Sequence, residues 1–194
     1  MDYLINYDTS HFILLTGYKS RNIRDHFGGF YRSIKVSYSE ETEPLGTGGA
    51  VVHGLKHLKT QDPFLVVNGD TFFKIDLNKL RNFYTKTNAD VSIGLFRANQ
   101  TKRYGGVVQD REAQITEIGL SAASIGQPAV GGTFLISRKI MEYFTCSDTI
   151  FSMEKHFLPE IIVNGGIVNG ILYDDDFNDI GTPNDYMRFC KNQS

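Results

Sequence analysis

Cysteine is scarce in this chain of 194 residues: only Cys146 and Cys190 occur, in neither a CxxC pattern nor a metal-ligand spacing. That scarcity excludes a disulfide-rich miniprotein, and the pair reads as buried free thiols in a reducing cytoplasm. A basic excess is also lacking, since 20 lysines and arginines face 22 acids for a formal net charge of −2. Phosphate-backbone binding therefore has no electrostatic drive, which argues against nucleic acid as a partner. No apolar run approaches the ~18 residues of a membrane span. The opening MDYLINYDTS carries an early acid and no apolar stretch of the signal-peptide kind. The expectation is a soluble cytoplasmic protein that engages neither membrane nor nucleic acid. Low-complexity tracts, linkers and internal repeats are absent too.

What is present fits an ordinary globular chain, with 41% hydrophobic and 22% charged residues. The length predicts one domain, residues 1–194, able to bury roughly 70% of its unfolded surface. Phe12 to Thr16 (FILLT) and Phe64 to Val67 (FLVV) read as buried strands. Ile34 to Ser39 alternates with period two, as a strand does. Ser20 is placed to cap a short helix ending at Gly28-Gly29. Val51, Leu55 and Leu58 line one face of a helix over 47–58. Asp76 caps another helix, with Leu77, Leu80 and Tyr84 inward, and Ala89 to Phe96 returns as a strand. Strands over 105–109, 114–118, 130–137 and 167–173 follow, with short helices over 138–144 and from Ser152. A last helix starts near Pro183 and is expected to bury Tyr186 and Phe189. Strand-helix alternation followed by a β-rich half gives an α/β three-layer fold, Rossmann-like, with a mixed sheet.

Three motifs bear chemistry. In Glu43-Pro44-Leu45-Gly46-Thr47-Gly48-Gly49-Ala50, glycines open a helix. They let a ligand approach the backbone, and the helix start offers free N–H groups. The plainer reading is a turn whose glycines serve packing alone. The stretch matches neither GxxxxGK[ST] nor GxGxxG. Asn68-Gly69-Asp70-Thr71 follows directly on FLVV, at the carboxyl end of a strand. A carboxylate there suits Mg²⁺ bound together with substrate phosphates. Asp174 to Asp179 packs four carboxylates into six residues ahead of Ile180-Gly181-Thr182-Pro183. Asp174 to Asp176 reads as a solvated loop, whereas Asp179 sits at a turn before the last helix and could share one Mg²⁺ with Asp70. His53 and His57 lie at i, i+4 without the Glu of HExxH, so they read as half-buried histidines, not zinc ligands. GxSxG is absent, and the 14 phenylalanines and 10 tyrosines are scattered at core spacing.

EPLGTGGA, NGDTFF followed by DL, RYGGV and DIGTPNDY occur in this order. The ordered set resembles the sugar-1-phosphate nucleotidylyltransferases, particularly the heptose 1-phosphate and mannose 1-phosphate guanylyltransferase branch, from about Phe12 onward. The resemblance implies a reaction between a sugar 1-phosphate and a nucleoside triphosphate, GTP favoured, that releases pyrophosphate with Mg²⁺ as cofactor. It implies that Gly46, Thr47 and Gly48 contact the base, with Glu43, Asn68 and Gly69 also on the nucleotide. Asp70 and Asp179 would be the catalytic metal ligands, and Tyr104, Gly105 and Glu117 would lie near the sugar. Nucleotide-sugar and surface-polysaccharide synthesis is the implied setting, and a homo-oligomer is compatible with it. The sugar phosphate is already an anion at neutral pH. No general base is required, and positioning plus charge neutralisation suffice.

The sequence departs from that pattern in three places. No GGxGTRL loop or PKP lysine precedes FILLT, a difference of roughly one βα unit, ~30 residues. Residues 115–119 lack the lysine of a Glu-Lys pair, and Val130 stands where the family often has Asn before Gly-Gly. The expectation is a domain N-terminally truncated relative to the family, with a central first strand missing and the edges of FILLT and FLVV either exposed or closed on each other. Little activity is expected of the chain alone. Two other readings remain: a non-catalytic sugar-nucleotide binding or scaffold protein, and a glycosyltransferase using Asp174-Asp175-Asp176 as a DxD site.

Overall fold

Near the N-terminus two apolar runs flank a helix, and they pair in parallel. The computed structural model describes residues 1–59, 63–100, 103–145 and 149–192, with Leu120 and Asn192 described by backbone alone. These residues fall into two units, Met1–Gln61 with Cys146–Phe157, and Asp62–Thr145 with Leu158–Ser194.

In the first unit a single helical turn, α1 (Asp2–Ile5), precedes β1 (His11–Thr16), α2 (Ser20–Phe27), β2 (Phe30–Tyr31) and β3 (Ile34–Glu40). β1 and β3 are parallel because α2 carries the chain back across, and β2 turns antiparallel onto β3. Phe12 and Val36 are register partners, and both are buried. Among the described residues β1 pairs along one edge only, and Leu15 on it is exposed. Ser20 does not cap α2. Lys19 takes the cap position in the left-handed region at φ 57°, so Ser20 is already helical and its hydroxyl bonds Glu40 instead. α3 (Gly46–Gly54) runs into a 3₁₀ turn at Leu55–His57. Val51 and Leu55 are buried as expected, but Leu58 lies past the turn in extended backbone. A wide π-type turn, Met153–Phe157, packs against α3.

The second unit holds β4 (Phe64–Val67), β5 (Thr71–Phe73), α4 (Leu77–Thr87), β6 (Val91–Arg97), β7 (Gly105–Gln109), β8 (Ile115–Ala122) and β9 (Pro128–Ile136). A 3₁₀ turn (Arg138–Glu142), α5 (Leu158–Val163), β10 (Val168–Leu172), β11 (Phe177–Asp179) and α6 (Pro183–Asn192) complete it. Its main sheet has the order β10-β6-β9-β7-β8, with β4 also on β9. β6 is parallel to β10 and antiparallel to β9, so the sheet is mixed, as expected. Central placement explains why β6 is buried without alternation from Val91 to Phe96. β4 is only half-buried, not the fully buried strand its apolar run predicts, because among the described residues it pairs with β9 alone and leaves Val67 exposed. Asp76 caps α4 as predicted, its Oδ1 accepting from the N–H groups of Asn78 (2.9 Å) and Lys79 (3.1 Å). Among the described residues no helix is long and apolar enough to cross a membrane.

α6 starts at Pro183, but Tyr186 is 55% exposed rather than buried. The helix packs through Phe189, whose ring lies 4.9 Å from that of Phe72. Tyr186 and Cys190, one turn apart, share the outer face, so Cys190 is exposed and not the buried thiol expected. Cys146 lies outside the described residues.

Candidate active site

Asp70 stands just before β5 and Asp179 ends β11. The two strands form a separate antiparallel ribbon in which Asp179 faces Thr71. The Ile180 N–H donates to the Asp70 carbonyl at 2.8 Å and locks that end of the ribbon. Phe73 seats the other end. Its ring occupies the space that a side chain at Gly131 would need, and it meets Phe96, Tyr173 and Phe177 edge-on. Two carboxylates remote in sequence are thus brought together by a strand pair rather than by a loop.

Their geometry fits a hard cation. Asp70 Oδ2 and Asp179 Oδ1 each lie 3.2 Å from the point where a β-carbon on Gly181 would sit. Only glycine leaves that point open. Two carboxylate oxygens facing one open space suit a divalent cation that takes one or two carboxylates and fills its remaining positions with water and phosphate oxygens. Among the described residues no group of three or more His, Cys, Asp or Glu could hold a metal. The arrangement therefore suits a cation shared with a phosphate substrate better than an all-protein cage.

A residue the motif reading passed over completes this cluster. Arg103 donates to Asp179 Oδ2 from Nε (3.3 Å) and Nη2 (2.9 Å). On its other side it pairs with Asp185, through Nη1 at 3.3 Å and through Nη2. Asp185 is only 6% exposed. It accepts from the Thr182 hydroxyl at 2.8 Å, and Arg188 reaches it from one turn further on. These partners offset the desolvation of a buried carboxylate. The hydrogen bond from Arg103, then that from Thr182, hold the Asp185 carboxyl down at about 2. Asp185 and Asp179 in turn keep the Arg103 guanidinium firmly charged. The signal for Arg103 was present in RYGGV: it is the one cation in that motif, with carboxylates crowding the chain at 174–185.

The glycine-rich stretch lies in the first unit. The glycine pattern predicts free N–H groups at this helix start, but two of them are taken. Gly48 and Gly49 both donate to the Phe151 carbonyl, at 2.9 and 3.3 Å, and the Thr47 hydroxyl accepts from Met153 N–H at 2.9 Å. A β-carbon at Gly48 would collide with the Phe151 ring, and Gly46 sits at φ +72° against the Phe151 carbonyl. Packing alone thus accounts for these glycines. Glu43, Gly46 and Thr47 remain exposed, while Gly48 is buried.

Asn68 is anchored by its N–H to the Gly132 carbonyl at 2.8 Å, which presents Gly69 and Asp70 at the surface. Tyr104 packs edge-on against Phe96 (5.0 Å) and Phe177 (5.4 Å), and burial raises its phenol pKa. Arg103 lies 5.6 Å over the same ring. Tyr104 and Gly105 therefore adjoin the carboxylate cluster through their neighbour. Glu117 does not join them: it is exposed on β8 opposite Val108, about 10 Å along the strand from Gly105. Asp174 to Asp176 form an exposed turn, in keeping with a solvated loop. His53 and His57 are half-buried.

Comparison with known proteins adds an independent line. The family model described as Nucleotidyl transferase matches residues 1–193. The chain is 35% identical over 191 residues to a D-glycero-alpha-D-manno-heptose 1-phosphate guanylyltransferase of Campylobacter jejuni, covering 98% of this chain and 82% of that protein. It is 33% identical over 179 residues to the enzyme of the same name from Aneurinibacillus thermoaerophilus, covering 92% and 76%. The crystal structure of HddC from Yersinia pseudotuberculosis superposes with a TM-score of 0.83 at 29% identity, over 100% of this chain and 83% of that one. HddC has also been crystallised in complex with GMP-PN.

Proposed function

This chain belongs to the nucleotidyl transferase family, and on that premise we propose that it joins a sugar 1-phosphate to GTP and releases pyrophosphate. The observation that carries the proposal is the meeting of Asp70 and Asp179 at the space left open by Gly181. The guanylyltransferase relatives support GTP and a heptose 1-phosphate as the pair to test first.

In the reaction an oxygen of the sugar phosphate attacks the α-phosphorus of GTP. The new P–O bond forms as the bond to the bridging oxygen of the β-phosphate breaks, and pyrophosphate leaves with that electron pair. The nucleophile is already ionised, so no side chain need remove a proton. Asp70 and Asp179 would hold Mg²⁺, which on binding offsets the charge that gathers on the phosphate oxygens. Their ribbon would hold the two carboxylates in place for it, so catalysis is positioning and charge neutralisation. Glu43, Gly46 and Thr47, and in the second unit Asn68 and Gly69, are the proposed nucleotide contacts, a role that the burial of Gly48 against Phe151 does not favour for that residue. Tyr104 and Gly105 are the proposed sugar contacts, which the placement of Glu117 does not favour for that residue. The GDP-sugar would serve nucleotide-sugar pools for polysaccharide assembly.

The test is pyrophosphate release with GTP, Mg²⁺ and a panel of sugar 1-phosphates, followed in long incubations at high enzyme concentration. Asp70→Asn and Asp179→Asn are each expected to lose about a hundredfold or more of the Mg²⁺-dependent rate. Near-normal release by Asp70→Asn would overturn the metal assignment.

A further inference from the structure

Asp179 offers its two oxygens unequally. Oδ2 is taken by two bonds from Arg103. Oδ1 accepts the Gly181 N–H at 2.9 Å and borders the same open space as Asp70 Oδ2. Arg103 cannot easily swing away, because its other edge is fixed to Asp185, which is buried and itself held by Thr182 and Arg188. A planar guanidinium bonded along two edges is far more rigidly placed than a single point charge.

We infer that Arg103 is a positioning residue that makes Asp179 a one-oxygen ligand, and that it thereby selects Mg²⁺ or Mn²⁺ over Ca²⁺. The inference rests on the proposed metal role of Asp70 and Asp179. Mg²⁺ demands octahedral geometry at short distance and takes one oxygen per carboxylate, whereas Ca²⁺ accepts six to eight oxygens and readily takes a carboxylate through both. With Oδ2 tied to Arg103, Asp179 cannot close onto Ca²⁺ with both oxygens. Without Arg103 it can.

Charge and geometry make separable predictions. Removing Arg103 removes a positive charge beside the site, which strengthens binding of any divalent cation. Mg²⁺ and Ca²⁺ carry the same charge, so this effect moves both affinities alike and leaves their ratio unchanged. Only the orientation of Asp179 alters the ratio.

The experiment measures Mn²⁺ binding to the 194-residue chain by electron paramagnetic resonance, with Mg²⁺ and Ca²⁺ as competitors. In Arg103→Gln the ratio of Ca²⁺ to Mg²⁺ affinity should rise about tenfold or more, the scale of outer-shell effects at metal sites. Arg103→Lys, which keeps the charge and loses the fork, should show the raised ratio as well. Arg103→Gln strands a buried carboxylate, so Arg103→Gln with Asp185→Asn is the second variant, and it should show the same rise. An unchanged ratio in these variants, with Asp70→Asn still abolishing Mn²⁺ binding, overturns the role of Arg103 and leaves the metal site standing. Mn²⁺ binding indifferent to Asp70→Asn overturns the metal reading and this inference with it.

Discussion

At the scale of single residues, the motif DIGTPNDY separates into distinct tasks. Asp179 faces Asp70, Gly181 keeps the space between them open, and Thr182 and Asp185 form the helix start beyond. Gly181 offers a clean probe, because its backbone is not in the left-handed region and alanine can adopt it. A β-carbon there would lie 3.2 Å from both carboxylate oxygens, in the place a cation and its waters need. Gly181→Ala is therefore expected to weaken Mn²⁺ binding about tenfold while the thermal midpoint moves little. A paired titration and melt would check this. Unaltered binding would show that the space between the carboxylates is not where the cation sits.

At the scale of elements, α6 begins with a reciprocal cap. The Thr182 hydroxyl accepts from the Asp185 N–H at 3.2 Å and donates to the Asp185 carboxylate at 2.8 Å. The carboxylate also sits at the positive end of the helix. Its folded pKa, about 2, lies below the ordinary aspartate value near ~3.9. A group whose pKa falls on folding contributes stability above its unfolded pKa and loses it as pH drops through the folded one. The stability difference between wild type and Asp185→Asn should thus be full above about pH 4 and shrink toward pH 2. Urea melts at stepped pH would measure it, and a difference constant over that range would contradict the assigned shift. At the opposite end of the chain order, α3 teaches a different lesson. Its glycines are explained by Phe151 and Met153, so glycine content alone did not mark a ligand cradle there.

At the scale of the whole molecule, the 194 residues carry the carboxylate pair proposed to hold a cation but no GGxGTRL loop. Charge-stabilising groups around a transferring phosphoryl are worth two to three orders of magnitude in rate. A polypeptide of these residues is expected to release pyrophosphate below about 0.1 s⁻¹, against a typical enzyme turnover near ~10 s⁻¹. Release at the typical rate would show that other groups in this chain supply that charge.

The sequence by itself determined the order of the main strands and helices, though not the short strands β2, β5 and β11, and with it the mixed α/β character, the cap at Asp76 and the family. Each of these is written locally, in periodicity, capping residues or short ordered motifs, which neighbouring residues suffice to impose. The pairing of Asp70 with Asp179 was legible in the motifs, but tertiary structure alone decided how they meet, because a strand pair joining Thr71 to Asp179 leaves no local trace. It also decided that Arg103 bonds Asp179 and that Cys190 and Tyr186 face outward. Burial and ion pairing depend on what arrives from elsewhere in the chain. The shortage of cysteine excluded a stapled framework at once, whereas the exposure of Cys190 had to wait for the helix face against which Phe189 packs.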